Sequence, residues 1–285
     1  MVAKPADQFV AINGTVVRAA EAQVSVFDRG LHYGDGVFET FFISRGRIID
    51  LTTHLNRLAD GCKFLELDIA FDLSAVENLI AVLVEKNALA DSYAYAKIIV
   101  TRNGSSRTDL AINDNHDASY YMIVGEAVVE KELYEKGIAL TMVHRTAYHP
   151  FAEHKTLNYL ANVIYRTQAR RQGFDDAIFV HDGKLLECTS ANVFVVKNGV
   201  IYTPPANVLP GITRNAVVLM GSDMGYDVVL EDIASEEVWA ADELFVSSSV
   251  RGIVPVNRVN TTAFSVGKIA SELSRRYNEY RGVLF

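Results

Sequence analysis

The chain has 285 residues, of which 49% are hydrophobic and 22% charged, with a formal net charge of −8. That length suits two domains or one large one, and the acidic balance argues against a nucleic-acid partner, which would favour a basic stripe. Cys62 and Cys188 are the only cysteines and form no CxxC pair, which argues against a disulfide scaffold or a zinc ribbon and fits a reducing cytosol. Met1 to Gln8 carries no apolar leader and no apolar run approaches about 18 residues, so a cytoplasmic protein with no membrane partner is expected.

The first half begins with strands. Phe9 to Ile12 and Thr15 to Val17 flank Asn13-Gly14, a strong hairpin signal. A second pair, Val37 to Ile43 and Arg47 to Leu51, turns around Arg45-Gly46. Thr52-Thr53 offers an N-cap for a helix from about His54 to Phe64, and a second helix spans Leu73 to Lys86. Tyr93 to Thr101 and Ser119 to Val124 read as strands. Between them Arg102 to Asp117 forms a polar loop, too long for a plain connector.

The charged stretch Glu126 to Gly137 reads as a connection to a second domain. After it come a strand at Ile138 to Val143 and a helix at Leu157 to Arg171. Strands follow at Ala177 to Val180, Lys184 to Leu186, Val193 to Val196 and Val200 to Thr203. A helix at Thr213 to Met224, a buried strand at Glu243 to Val246 and an amphipathic helix at Val266 to Tyr280 complete the chain. The expected class is α/β in two domains: 1–125 small, 126–133 connecting, 134–285 large and cofactor-binding.

Ten lysines are present. Most lie at turns, at the ends of elements or on polar faces, where a lysine snorkels to water. Two stand out: Lys97, inside the apolar strand Ala96 to Val100, and Lys155, read as the start of a helix. A helix N-terminus disfavours a cation, so Lys155 is expected to be the more nucleophilic. Glu187 ends a strand and precedes the small residues Cys188-Thr189-Ser190-Ala191, which allow a flat ligand to approach the backbone. Pro210-Gly211-Ile212-Thr213 leads straight into a helix, whose free N–H groups can point at an anion. The dipole contributes only about 0.3–2 kcal/mol, so a phosphate dianion calls for a full positive charge as well. No nucleophile elbow, Walker loop or zinc-protease motif occurs, and the histidines lack metal-ligand spacing; no metal is expected.

Three segments, His154-Lys155-Thr156-Leu157-Asn158-Tyr159, Glu187-Cys188-Thr189-Ser190-Ala191-Asn192 and Pro210-Gly211-Ile212-Thr213-Arg214, carry a family likeness. With Arg57 and the run Asp28-Arg29-Gly30 through Phe38-Glu39, they resemble the class IV pyridoxal-phosphate aminotransferases. That family contains D-amino-acid and branched-chain aminotransferases and aminodeoxychorismate lyase. The resemblance implies a fold-type IV homodimer using pyridoxal phosphate, with each site between domains. It implies Lys155 as the catalytic, cofactor-bonding amine and Glu187 as partner of the pyridine nitrogen. Arg57, Ile212, Thr213 and Ser249 would surround the phosphate, with Ser190 and Asn192 also on the cofactor. Phe38, Lys97, Arg107, Asp109, Ser248 and Val250 would face the substrate.

Substrate markers are mixed. Lys-x-Leu-Asn and Thr101-Arg102 resemble D-amino-acid aminotransferases, and Arg107 matches their carboxylate-clamping arginine. Asp109, however, stands where those enzymes place a histidine, and Phe38 where they place a tyrosine. His32-Tyr33-Gly34 and Phe38-Glu39 look like branched-chain enzymes, whose strand arginine near Tyr95 is missing. The expectation is transamination of an amino acid and a 2-oxo acid, with D-amino acids as the lead substrates. A branched-chain L-amino-acid aminotransferase comes next, then the lyase. The rival from another class is a protein that binds the cofactor without turnover.

Overall fold

The structure is a computed structural model and describes residues 7–104, 110–112 and 117–285. Arg107 and Asp109 lie outside the described residues. The chain forms two compact units: Met1–Val128 with His154–Asn158, and Val129–Glu153 with Tyr159–Phe285. The segment around Lys155, read from sequence as part of the larger domain, belongs to the first unit. Among the described residues no helix is long and apolar enough to cross a membrane.

The first unit is a six-stranded antiparallel sheet. Its strands are β1 (Phe9–Ile12), β2 (Thr15–Arg18), β3 (Gly36–Ser44), β4 (Arg47–Ile48), β5 (Tyr93–Arg102) and β6 (Ala118–Glu126), in the order β2-β1-β6-β5-β3-β4. Asn13 and Gly14 both take positive φ, 49° and 81°, the geometry of a tight hairpin turn that favours Asn-Gly. Strand alternation decides the faces. Val37, Phe41 and Ile43 of β3 and Ala96, Ile98 and Val100 of β5 pack with Leu55, Leu58, Ile80 and Leu83 in one core. Those last four come from helices α2 (Leu51–Phe64) and α3 (Leu73–Lys86); a short helix, α1 (Arg29–Tyr33), precedes β3. Phe38 and Thr40, and Lys97 paired with Thr40, point to the opposite face. Helix α2 starts at Leu51 after Asp50, not at His54 after Thr52-Thr53, because Leu51 joins the core and draws the first turn in.

The second unit holds a nine-stranded mixed sheet. Its strands are β7 (Ile138–His144), β8 (Asp176–His181), β9 (Lys184–Cys188), β10 (Asn192–Lys197), β11 (Val200–Thr203), β12 (Val228–Leu230), β13 (Glu243–Ser248), β14 (Gly252–Val259) and β15 (Thr262–Ala263). The order is β12-β11-β10-β13-β14-β7-β8-β9, with β15 on β14. Central strands β10, β13 and β14 are buried on both faces. Phe194, Phe245 and Ile253 pack under helices α6 (Ile212–Asp223) and α7 (Lys268–Tyr280), with Phe194 stacked on Phe245 at 4.7 Å. Val193, Val195, Leu244 and Val254 enter a second core on the other face. Helices α4 (Lys131–Lys136) and α5 (Leu160–Arg171) complete the unit.

Two differences from the sequence expectation matter. Strand β14 was hidden by Pro255, which argues against a central strand; it is tolerated one residue before β14 takes β7 as a neighbour. The helix expected from Leu157 begins at Leu160, so Lys155 is not at a helix start.

Candidate active site

Lys155 is carried on an added strand. Thr156 pairs antiparallel with Val37, Phe38 N–H donates to Lys155 O at 2.9 Å, and Leu157 N–H donates to Gly36 O at 2.9 Å. His154 stacks on Phe64 of α2, ring centroids 3.8 Å apart. The lysine is thus held by β3 rather than by a helix terminus, and the dipole argument for its reactivity falls. Another cation takes that place. Lys155 Nζ lies 4.5 Å from the centre of the Phe38 ring and Lys97 Nζ lies 4.3 Å from it. Burial, and then the charge of Lys155, lower the Lys97 pKa. Like charges near one apolar ring favour an uncharged amine. The structure therefore places the Lys155 and Lys97 amines over the same Phe38 ring.

Arg57 stems from the helix-covered side of the same sheet. Its Nε and Nη2 donate to the two oxygens of Glu39 at 2.6 and 2.9 Å, and His54 Nδ1 lies 2.7 Å from Glu39 Oε2. Glu39 and His54 are fully buried. Burial alone would raise the Glu39 pKa, but the His54 hydrogen bond and the charge of Arg57 outweigh it and bring it down to about 2. Sequence reading missed Glu39 and His54 as site residues, although a lone acid inside Val37 to Ile43 was a visible signal. The clamp fixes the guanidinium's position on α2, and arginine's planar fork makes that fixing geometric as well as electrostatic.

A pH dependence follows. A carboxylate whose pKa falls on folding contributes stability above its unfolded pKa, and that contribution is lost as pH falls through the folded value. For Glu39 the window runs from 4.5 down to about 2, with a contribution on the order of 3 kcal/mol. In urea titrations from pH 6 to pH 2, Glu39→Gln should flatten the loss of stability seen in the wild type over this window. An unchanged slope would remove Glu39 as its source.

In the second unit Glu187 stands near the end of β9, half-buried. Leu209 N–H donates to its Oε2 at 3.0 Å, and Asn192 Nδ2 lies 3.4 Å from the same oxygen while donating to Leu209 O at 2.9 Å. Asn192 therefore ties the acid to the 209–211 loop. A Cβ on Gly211 would overlap Asn192 Oδ1, so the loop closes this tightly only with glycine. The charge of Glu187 reaches Arg145 and Arg214, where it offsets the burial that lowers their pKa values.

Helix α6 opens beside this loop with Gly211 as its N-cap. Its first intrahelical bond is donated by Asn215 to Gly211 O. The N–H groups of Ile212, Thr213 and Arg214 have no acceptor among the described residues, as a helix start dictates. The Thr213 hydroxyl is buried 3.2 Å from Tyr277 Oη. Ser248, Ser249 and Val250 lead into the turn between β13 and β14. The Ser190 hydroxyl joins Asp176, Arg166 and Arg251, at 3.2, 2.5 and 3.3 Å.

Each unit by itself carries groups whose chemistry suits pyridoxal phosphate: in the second an anchored carboxylate for a ring nitrogen and free amides for a phosphate, in the first a lysine beside a second cation. Comparison with known proteins agrees. A family model for amino-transferase class IV matches residues 36–259. A Methanocaldococcus jannaschii protein, provisionally named a branched-chain-amino-acid aminotransferase, is 34% identical over 95% of each chain. A D-alanine aminotransferase of Listeria monocytogenes is 27% identical, over 91% of this chain and 90% of its own. The crystal structure of a branched-chain aminotransferase from Thermoproteus uzoniensis with norvaline superposes with a TM-score of 0.87, at 26% identity, over 97% of this chain and 95% of that one. With the family model covering most of its length, the chain belongs to the class IV aminotransferases and is a pyridoxal-phosphate-dependent enzyme.

Proposed function

We propose that the chain transaminates branched-chain L-amino acids with a 2-oxo acid as amino acceptor. The observation that carries this reading is the 34% identity, over nearly the full length of both chains, to the Methanocaldococcus jannaschii relative. The D-amino-acid lead expected from the sequence gives way: the relative of that kind stands at 27%, and its chief support, Arg107, lies outside the described residues. Lys97 adds chemistry of its own. It makes no hydrogen bond or ion pair among the described residues, so its half-buried ammonium suits a substrate carboxylate.

The roles divide by chemistry. Bound pyridoxal phosphate supplies an aldehyde to take up the amino group and a ring to accept electron density from the substrate Cα. Lys155 Nζ would anchor it, and the same amine would accept the Cα proton and return it as an acid. Glu187 holds a proton on the pyridine nitrogen by its negative charge. Arg57, the amides of Ile212 and Thr213, and Ser249 hold the phosphate, and Phe38 offers an apolar surface to the substrate side chain. Free, buried Cys62 and Cys188 support a cytoplasmic setting.

We take the working form to be a homodimer. Within the first unit Val26, Phe27 and Leu31 face water, and within the second Leu160, Val163 and Ile164 do; such apolar surface commonly marks a partner face. One experiment tests substrate and assembly together. The cofactor-loaded protein, its mass checked by light scattering, is mixed in a stopped-flow cell with L-leucine, L-valine, L-glutamate, D-alanine and D-glutamate. Fast bleaching by the L-branched acids in a dimer is expected. Bleaching by the D-acids alone would return the D-amino-acid reading, and an active monomer would remove the dimer.

A further inference from the structure

The end of helix α7 touches both elements assigned to the phosphate. Tyr277 meets the Thr213 hydroxyl at the start of α6. Arg281, the fully buried residue that caps α7, reaches the turn between β13 and β14. Its Nη1 donates to Val250 O at 2.7 Å and its Nη2 to Arg251 O at 3.2 Å. Nη2 also donates to Tyr134 Oη at 2.6 Å, and Nε to Asn278 Oδ1 at 2.8 Å. Tyr134 in turn donates to Arg251 O at 2.8 Å, so the turn is held from two sides.

The bonds set the polarity of the turn. In a trans peptide the N–H points opposite to the carbonyl of the same plane. With the Val250 carbonyl drawn onto the guanidinium, the Arg251 N–H is aimed the other way. The N–H groups of Ser249, Val250 and Arg251 have no acceptor among the described residues. Successive amides of this kind make a concavity for an anion. Gly252 completes the fit: it takes φ +72°, and a Cβ there would lie 2.9 Å from Arg281 Cζ.

We propose that Arg281 is a positioning residue, which presets the amides of the β13–β14 turn to receive an oxyanion. That oxyanion is the cofactor phosphate or the substrate carboxylate, and the inference rests on the reading of Ser249 given above. Arg281 acts through the backbone of Val250 and Arg251 and touches no ligand.

The test uses the full chain, stripped of cofactor and carrying Arg281→Lys, which keeps the charge but cannot span two carbonyls. Dissociation constants are measured for pyridoxal phosphate and for pyridoxal, which lacks the phosphate, together with inhibition of the loaded enzyme by 4-methylpentanoate. A melting curve reports the fold. The expected result is a loss of about tenfold for pyridoxal phosphate, the scale of a lost charged hydrogen bond, with pyridoxal unchanged. A loss confined to 4-methylpentanoate would support the same role with the substrate carboxylate as the anion. Unchanged affinities in a folded variant, or equal losses for pyridoxal phosphate and pyridoxal, would overturn the proposal. Should Arg281→Lys fail to fold, Tyr134→Phe removes one support of the same turn. It should weaken the phosphorylated ligand selectively, and a loss without selectivity would count against the brace. Wild-type protein that binds no pyridoxal phosphate would instead remove the functional reading, and this inference with it.

Discussion

Lys155→Ala is expected to leave a folded protein without measurable transamination and without the visible absorption of lysine-bound cofactor. The fold survives because the Lys155 segment is held to β3 by backbone bonds, Phe38 N–H to Lys155 O and Leu157 N–H to Gly36 O, which alanine retains. Chemistry should be lost because, in the function proposed above, the side chain both anchors the cofactor and moves the Cα proton. The discriminating detail is Lys97, whose amine lies as close to the Phe38 ring as that of Lys155. Borohydride reduction of the loaded wild type followed by peptide mapping should mark Lys155. A mark on Lys97, or a borohydride-stable adduct persisting in Lys155→Ala, would transfer the role.

Glu187→Gln should produce the second large effect, a fall of about 10²–10⁴-fold in the chemical step with cofactor affinity little changed. Glutamine keeps an oxygen to accept from Leu209 N–H and Asn192 Nδ2, which hold the side chain in place. Only the charge is removed, and with it, in the function proposed above, the means of keeping a proton on the pyridine nitrogen. Half-reaction rates by stopped flow, beside a titration of cofactor binding, separate the two. Rates equal to wild type would take Glu187 out of the site.

What could be read from the sequence was local. Asn13-Gly14 announced its hairpin because its two positive φ angles suit those residue types. The start of α6 was legible because glycine, a short loop and a helix start are contiguous in the sequence. Lys155 was singled out by its neighbours and misplaced in structure, because its segment is supported by the pairing of Thr156 with Val37, a contact far away in the chain. Glu39 was visible as an acid in an apolar strand, yet its bond to Arg57 on α2 had no local sign. Arg281 follows a helix end where an arginine is unremarkable, and only the fold brings the turn at Val250 to it. Arg107 lies outside the described residues, so the proposed choice among amino acids rests on kinship and on Lys97.

The interleaving of the two units also constrains how the protein is made. The first unit runs to Val128 and then recovers His154–Asn158 after the chain has supplied Val129–Glu153 to the second. During synthesis from the N-terminus, the first sheet can form early. Its lysine arrives only when residues already committed to the other unit have left the ribosome. A gene cut at the boundary would therefore not yield two half-enzymes. The first product would end without Lys155 and with Gly36 and Phe38 lacking the segment that pairs with them. Chain order itself makes the Lys155 amine one of the last pieces of its unit to be put in place.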